Sequence, residues 1–329
     1  MSDPVQQFRE AIAASQSVVV SGHKGPDGDC IGAALAFKNA LEAIGKHVTV
    51  LSNDPIPKLT EFLKGAHSIR VVRTNDEGLS VADEKFDLGI LVDVGFTERA
   101  GRAAPALDSA ATLAVVDHHE IGPNVSGHIR VIDPHASATC YILYNLFPML
   151  GLTIDPAVAE CLLTGIITDT GCFRYRNTDR VTLEAAARLV DAGADISKIN
   201  EEVWNSRPQT QVAMLQRAFH RLQLSMDKRL AVTYITTGDY QETGALDEDT
   251  EGIASEIARI GTVDVAAVFR EAKPGNVRVS VRSRGDIDVA EVCRRFHGGG
   301  HKNAAGCTID ASVEEAMDRM IPALEACLV

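Results

Sequence analysis

"SVVVSGHKGPDGDC", residues 17–30, joins an apolar run to a loop that carries one histidine and two aspartates. Val18, Val19 and Val20 do not alternate with polar residues, the pattern of a strand covered on both faces of a parallel sheet. Asp27 and Asp29 then stand close enough to repel. Beyond them Ile31, Ala34, Phe37, Leu41 and Ile44 step by three or four, which predicts a helix with one buried stripe, ended by Gly45. A second strand at 47–52, "HVTVLS", completes a βαβ unit.

The same texture continues, with strands expected at 68–72, 87–93, 112–117 and 128–133. The expected fold class is α/β: an N-terminal mostly parallel sheet flanked by helices over 1–190, a helical linker over 191–226 interrupted by Pro208, and a smaller C-terminal α+β domain over 227–329. In the last, strands are expected at 229–236, 263–272 and 276–283, the final two joined as a hairpin through "KPGN". Helices are expected at 249–260 and 288–296.

A chain of 329 residues that is 45% hydrophobic can bury a large core. No apolar run reaches the ~20 residues of a membrane span, and the first residues lack a secretory pattern. Membrane partners are therefore not expected. Seven scattered cysteines without a CxxC pair point to reduced thiols in a cytoplasm. With 45 acidic against 32 basic residues and a charge of −13, long duplex nucleic acid is a poor partner. A small phosphorylated ligand needs only local positive charge.

In an open parallel sheet, ligands collect beyond the carboxyl ends of the strands. There the chain delivers His23, Asp27 and Asp29, then Asp93, then Asp117 with His118 and His119; the apolar run "LLTGIITDTG" adds Asp169. A single Asp closing a strand is usually a turn or cap residue. Four segments converging are another matter, because uncompensated carboxylates would destabilise the fold. Two divalent ions would balance Asp27, Asp29, Asp93 and Asp169. Mixed imidazole and carboxylate donors suit Mn²⁺, Co²⁺, Zn²⁺ or Fe²⁺. Two such ions ~3.5–4 Å apart can hold a hydroxide for in-line attack at phosphorus, which indicates phosphoester hydrolysis.

"HKGPDGD" (23–29), Asp93, "DHH" (117–119) and "TDTG" (168–171), in that order, resemble the motifs of the DHH phosphoesterase superfamily, and "GGGHKNAAG" (298–306) resembles its associated substrate-binding domain. The chain is most similar to the bacterial oligoribonuclease and pAp-phosphatase (nano-RNase) group. The resemblance implies one ion on His23, Asp27 and Asp93, and a second on Asp29, Asp93, His118 and Asp169, with Mn²⁺ as the usual metal. His119 would face the substrate phosphate, and Asp117 would orient a ligand histidine. Two departures stand out: Cys30 follows Asp29, and Ala33 follows Gly32, where a small residue and a serine are common.

In the C-terminal strand, Arg278 and Arg282 should share the face opposite Val277, Val279 and Val281. The resemblance implies that Arg282, a loop of Gly298, Gly299 and Gly300, and His301 grip the part of the nucleotide away from the scissile phosphate. The expected substrates are very short oligoribonucleotides, linear dinucleotides and 3′-phosphoadenosine 5′-phosphate (pAp). An inorganic pyrophosphatase or exopolyphosphatase, or an inactive nucleotide sensor, are the competing readings. Oligomeric state stays open, a homodimer included.

Overall fold

The protein is described here by a computed structural model, covering residues 3–73, 84–120, 125–205 and 208–328. Contacts divide it into two units, Met1–Ser206 and Arg207–Val329. The first contains α1 (Pro4–Ala14), β1 (Ser17–Ser21), α2 (Gly28–Ala43), β2 (His47–Ser52), β3 (Arg70–Val71) and β4 (Leu88–Val92). It continues with α3 (Ala104–Asp108), β5 (Thr112–Asp117), β6 (Ile129–Ile132), α4 (Thr139–Leu150), α5 (Pro156–Asp169), α6 (Arg180–Asp191) and α7 (Ile196–Asn200).

Among the described residues its six strands are all parallel, in the order β3-β2-β1-β4-β5-β6. The continuous apolar runs follow from two-sided burial. Val18 and Val20 pack with Phe37 and Phe147 on one face, and Val19 packs with Leu107 and Val115 on the other. The direction of winding reverses between β1 and β4, which makes the ends of those two strands the place where a crevice opens.

The Asp27 side chain caps α2 by accepting from the N–H groups of Asp29 and Cys30. The helix is not the expected one-stripe amphipath. Ala33, Leu35, Ala36 and Ala40 are buried along with Ile31, Ala34, Phe37 and Leu41, because α5 covers the side away from the sheet. Ile44 falls at the C-cap and is 48% exposed. Helices α2 and α5 approach closely: a Cβ on Gly32 would stand 2.6 Å from the Cys161 carbonyl oxygen. The run that ends in Asp169 is thus the C-terminal part of a helix. The strand expected at 68–72 shrinks to two residues, since Ala66–Ser68 forms a 3₁₀ turn.

The second unit contains α8 (Gln209–His220), β7 (Gln223–Ser225), β8 (Leu230–Ile235), α9 (Thr237–Thr243), α10 (Ile253–Ile257), β9 (Val265–Lys273) and β10 (Asn276–Ser283). It ends with α11 (Val289–Arg294), β11 (Gly299–His301), β12 (Ala304–Asp310) and α12 (Val313–Ala326). The sheet is mixed, in the order β11-β12-β10-β9-β8-β7, with only β8 and β9 parallel. The β9–β10 hairpin forms as expected, with Gly275 at φ 74° in its turn. The helix expected over 249–260 is shorter: a 3₁₀ turn at Asp247–Thr250 and α10 flank Gly252, whose φ is 80°.

The 191–226 stretch is shared between the units. Helix α7 and the π turn Glu201–Asn205 belong to the first, whereas α8 and β7 belong to the second; residues 206 and 207 lie outside the described residues. Among the described residues, no helix is long and apolar enough to cross a membrane.

Candidate metal centre

The ends of β1, β4 and β5 and the C-terminus of α5 bring six of the expected side chains together. Asp93 is the centre of the group. It is 2% exposed, and its two carboxylate oxygens face different histidines. Oδ2 lies 3.3 Å from His23 Nε2, and Oδ1 lies 3.6 Å from His118 Nε2. The residue directly follows β4 and holds φ 60°, a left-handed conformation costly for a residue with a Cβ. Its N–H donates to the Val116 carbonyl, so β5 keeps the strained turn in place.

His118 Nε2 meets three carboxylates: Asp93 Oδ1 at 3.6 Å, Asp169 Oδ2 at 3.6 Å and Asp29 Oδ2 at 4.0 Å. The other nitrogen, Nδ1, lies 3.2 Å from the Ala136 carbonyl. A carbonyl only accepts, so Nδ1 carries a proton and Nε2 is the nitrogen turned to the acids, its lone pair available to an ion when the ring is neutral. His23 repeats the arrangement, with Nδ1 2.9 Å from the Lys24 carbonyl. Asp27 stands at the edge, its side chain 58% exposed and its Oδ1 3.9 Å from His23 Nε2.

Asp29 is fixed by contacts the sequence reading did not anticipate. The N-terminus of α4 points at it: the Thr139 N–H donates to Oδ2 at 2.6 Å and the Cys140 N–H to Oδ1 at 2.9 Å. A helix N-terminus favours an anion through both its unpaired N–H groups and its dipole. The Thr139 hydroxyl donates to Asp93 Oδ1 at 2.9 Å, so one residue orients both acids. Gly165 on α5 leaves the space this needs, since a Cβ there would lie 2.6 Å from Asp29 Oδ1 and 2.3 Å from Cys140 Sγ.

The electrostatics are those of a crowded cluster. Burial, then the charges of Asp29 and Asp27, push the Asp93 carboxyl well above the usual carboxylate range. Burial and then Asp29 push Asp169 up to about 7. Burial works against the His118 cation, yet Asp29, Asp169 and Asp93 outweigh it and raise that imidazole.

Asp117 differs from expectation. Its Oδ1 accepts from His119, from the backbone N–H at 3.1 Å and at ring Nδ1 at 2.8 Å, rather than from the histidine that meets the three carboxylates. The geometry at the strand end decides this, because the ring of residue 119 folds back over the terminus of β5 while that of residue 118 turns to Ala136. The Asp117 bond is the main reason the His119 imidazole is raised. Burial would lift Asp117 itself, but the His119 bond and charge hold it below its ordinary value.

The donor set fits metal ions. His23, Cys30 and Asp93 form one group of ligand atoms within 4.8 Å of one another; Asp93, His118 and His119 form a second, and Asp29, His118 and Asp169 a third. Donor atoms each ~2.1 Å from a common ion are roughly 3–3.5 Å apart, close to the separations measured here. Cys30 is the donor type that sequence reasoning noted only as a departure.

In the second unit, β10 carries Arg278 and Arg282 opposite a face of buried Val277, Val279 and Val281, as the alternation predicts. The glycine motif is a strand and not a loop. Gly299, Gly300 and His301 pair with Gly306, Ala305 and Ala304 as the edge strand β11, with Gly298 just before it. A Cβ on Gly298 would lie 2.2 Å from the Gly306 carbonyl oxygen, which explains the glycine.

Comparison with known proteins agrees with this arrangement. The chain is 29% identical to the bifunctional oligoribonuclease and PAP phosphatase NrnA of Thermus thermophilus, covering 95% of this chain and 90% of that protein. It is 27% identical to the protein of the same name from Mycoplasma genitalium, over 91% of this chain and 90% of that one. Its fold is that of an exopolyphosphatase-related protein from Bacteroides fragilis, with a TM-score of 0.91 at 24% identity over 98% and 96% of the two chains. Residues 17–166 match the DHH family N-terminal domain and residues 227–329 match the DHHA1 domain, and with both in this order the chain belongs to the DHH family of phosphoesterases.

Proposed function

We propose that this protein is a dimetal phosphoesterase that hydrolyses very short oligoribonucleotides, linear dinucleotides and pAp, with Mn²⁺ as its metal. The observation that carries the reading is Asp93, whose two oxygens each face a different histidine, as a carboxylate shared by two ions must. His23, Asp27 and Asp93 would hold one ion, and Asp29, Asp93, His118 and Asp169 the other. When bound, such a pair supplies Lewis acidity toward phosphoryl oxygens and activates water at neutral pH.

The rest of the chemistry belongs to the chain. The carbonyls of Lys24 and Ala136 fix the tautomers of His23 and His118, and Thr139 and the α4 N-terminus fix Asp93 and Asp29 before substrate arrives. His119, whose protonated form the Asp117 bond favours, would when protonated donate from Nε2 to a non-bridging phosphoryl oxygen and stabilise the charge that grows there. Arg282, Gly298, Gly299, Gly300 and His301 would bind the remainder of the nucleotide.

The substrate class rests on the relatives named oligoribonuclease and PAP phosphatase. The seven free cysteines support a reducing, cytoplasmic setting as part of this reading. The test is a turnover panel of pAp, a diribonucleotide and pyrophosphate with Mn²⁺. Turnover of the first two is expected; rapid hydrolysis of pyrophosphate alone would overturn the assignment.

A further inference from the structure

The short stretch from Ala136 to Cys140 reaches three of the candidate ligands. The Ala136 carbonyl lies 3.2 Å from His118 Nδ1, Thr139 donates to Asp29 from its N–H and to Asp93 from its hydroxyl, and the Cys140 N–H donates to Asp29. Ser137 stands inside this stretch and is 2% exposed. Its bonds run the other way, to the segment that follows α5.

Asn177 Nδ2 lies 2.9 Å from the Ser137 carbonyl oxygen and 3.2 Å from that of Asp169. Carbonyls only accept, so the amide nitrogen gives one proton to each. It ties the approach to α4 to the residue that carries a fourth candidate ligand. The Ser137 and Thr182 hydroxyl oxygens are 3.0 Å apart, and Thr182 Oγ1 is 2.7 Å from Asp179 Oδ1. A carboxylate only accepts, so the Thr182 proton goes to Asp179 and the Ser137 proton to Thr182. Asp179 is fixed in turn as the N-cap of α6, where it accepts from the Thr182 N–H at 2.9 Å.

Residue 177 returns to Asp169 because the chain doubles back after α5. Gly171, Cys172 and Phe173 hold φ 56°, 59° and 62°, a conformation costly for the two that carry a Cβ. Strain of this kind persists where the surrounding bonds over-determine it. The bonds of Thr139 and Cys140 to Asp29, at 2.6 and 2.9 Å, weaken steeply once their donors tilt, so the place where α4 starts decides how Asp29 is held.

We infer that Ser137 is a positioning residue for the metal centre: clamped by Asn177 on its carbonyl and by Thr182 on its hydroxyl, it sets the start of α4 and with it the donors that orient Asp29 and Asp93. Resting on the proposed dimetal reading, this gives Ser137, Asn177 and Thr182 a part in metal affinity that the motifs do not announce.

The test is Mn²⁺ titration calorimetry of the full chain, with amide exchange and melting temperature of the metal-free protein measured alongside. S137A should lower Mn²⁺ affinity about tenfold, as groups that orient ligands do, and speed exchange at Thr139 and Cys140. T182V should act in the same direction, while T182S, which keeps the hydroxyl, should stay near the wild type. Should S137A fail to fold, N177A at an exposed residue is the second variant, with a several-fold loss of affinity expected. Folded variants that melt lower but bind Mn²⁺ as the wild type does would reduce Ser137 to packing and overturn the inference. So would amides of Thr139 and Cys140 that exchange no faster in S137A. A loss in T182S as large as that in T182V would remove the hydroxyl contact from the clamp. If the wild type takes up no Mn²⁺ while S137A still frees the two amides, the dimetal reading fails and the clamp on Asp29 stands.

Discussion

Stripping the metal and raising the pH should destabilise the N-terminal unit through its own carboxylates. Asp169 is pushed up to about 7 from an ordinary 3.8. Between those values the folded chain keeps a proton that the unfolded chain has released, so stability falls as pH rises. Asp93 and His118 are raised too, and both act in the same direction. A shift of ~3 units at ~1.4 kcal/mol each gives about 4 kcal/mol as an upper value for Asp169. Its side chain is 27% exposed and shares its proton with neighbours, which lowers the figure to about 2–3 kcal/mol. At ~2–4 °C per kcal/mol for a unit of this size, the melting temperature of chelated protein should drop by roughly 5–10 °C from pH 5 to pH 8. Calorimetry at several pH values, with and without restored Mn²⁺, measures it. The restored protein should lose this slope, since metal binds the deprotonated donors. D169N should flatten the slope of the chelated protein. A chelated protein whose melting temperature stays level or rises over that range would refute the charge argument, however active the enzyme.

Three further outcomes are expected. G165A puts a methyl 2.6 Å from Asp29 Oδ1 and 2.3 Å from Cys140 Sγ, and should cost about 1–3 kcal/mol by overpacking and lower metal affinity, both measurable by calorimetry. T139V removes the hydroxyl that donates to Asp93 and should reduce Mn²⁺ affinity or turnover roughly 10–100-fold with the fold kept; a smaller loss would make that bond incidental. D117N takes away the main cause that raises His119, so the alkaline limb of the pH–rate profile should move to lower pH; an unmoved limb would remove His119 from the reaction.

The residues that were legible in the sequence are those whose side-chain type carries the message. Unbroken valines and isoleucines gave the strands of the parallel sheet, and Asp93, Asp169 and the paired histidines stood out because acids and imidazoles are conspicuous at strand ends. Helix α2 misled the periodicity because alanines pack against α5 without reading as an apolar stripe. Strand β11 was read as a loop because glycine has no strand preference of its own, and only pairing with β12 makes it extended. Which histidine Asp117 would hold depended on a turn of backbone at the end of β5 that two adjacent identical residues cannot encode.

What escaped altogether was the work of the backbone. Asp29 is 1% exposed among other carboxylates, and it is held there by two N–H groups of Thr139 and Cys140, donors that every residue but proline possesses. Nothing in "ASATCYI" announces that role, because it arises from where the helix starts and not from what starts it. The same reasoning explains the strain at Asp93. An alternative residue at φ 60° would relieve the backbone, but glycine would remove the carboxylate that faces both His23 and His118. The chain therefore keeps a conformational cost at the one position where two candidate ion sites share an acid, and the bond from the Asp93 N–H to the Val116 carbonyl on the neighbouring strand helps to hold it.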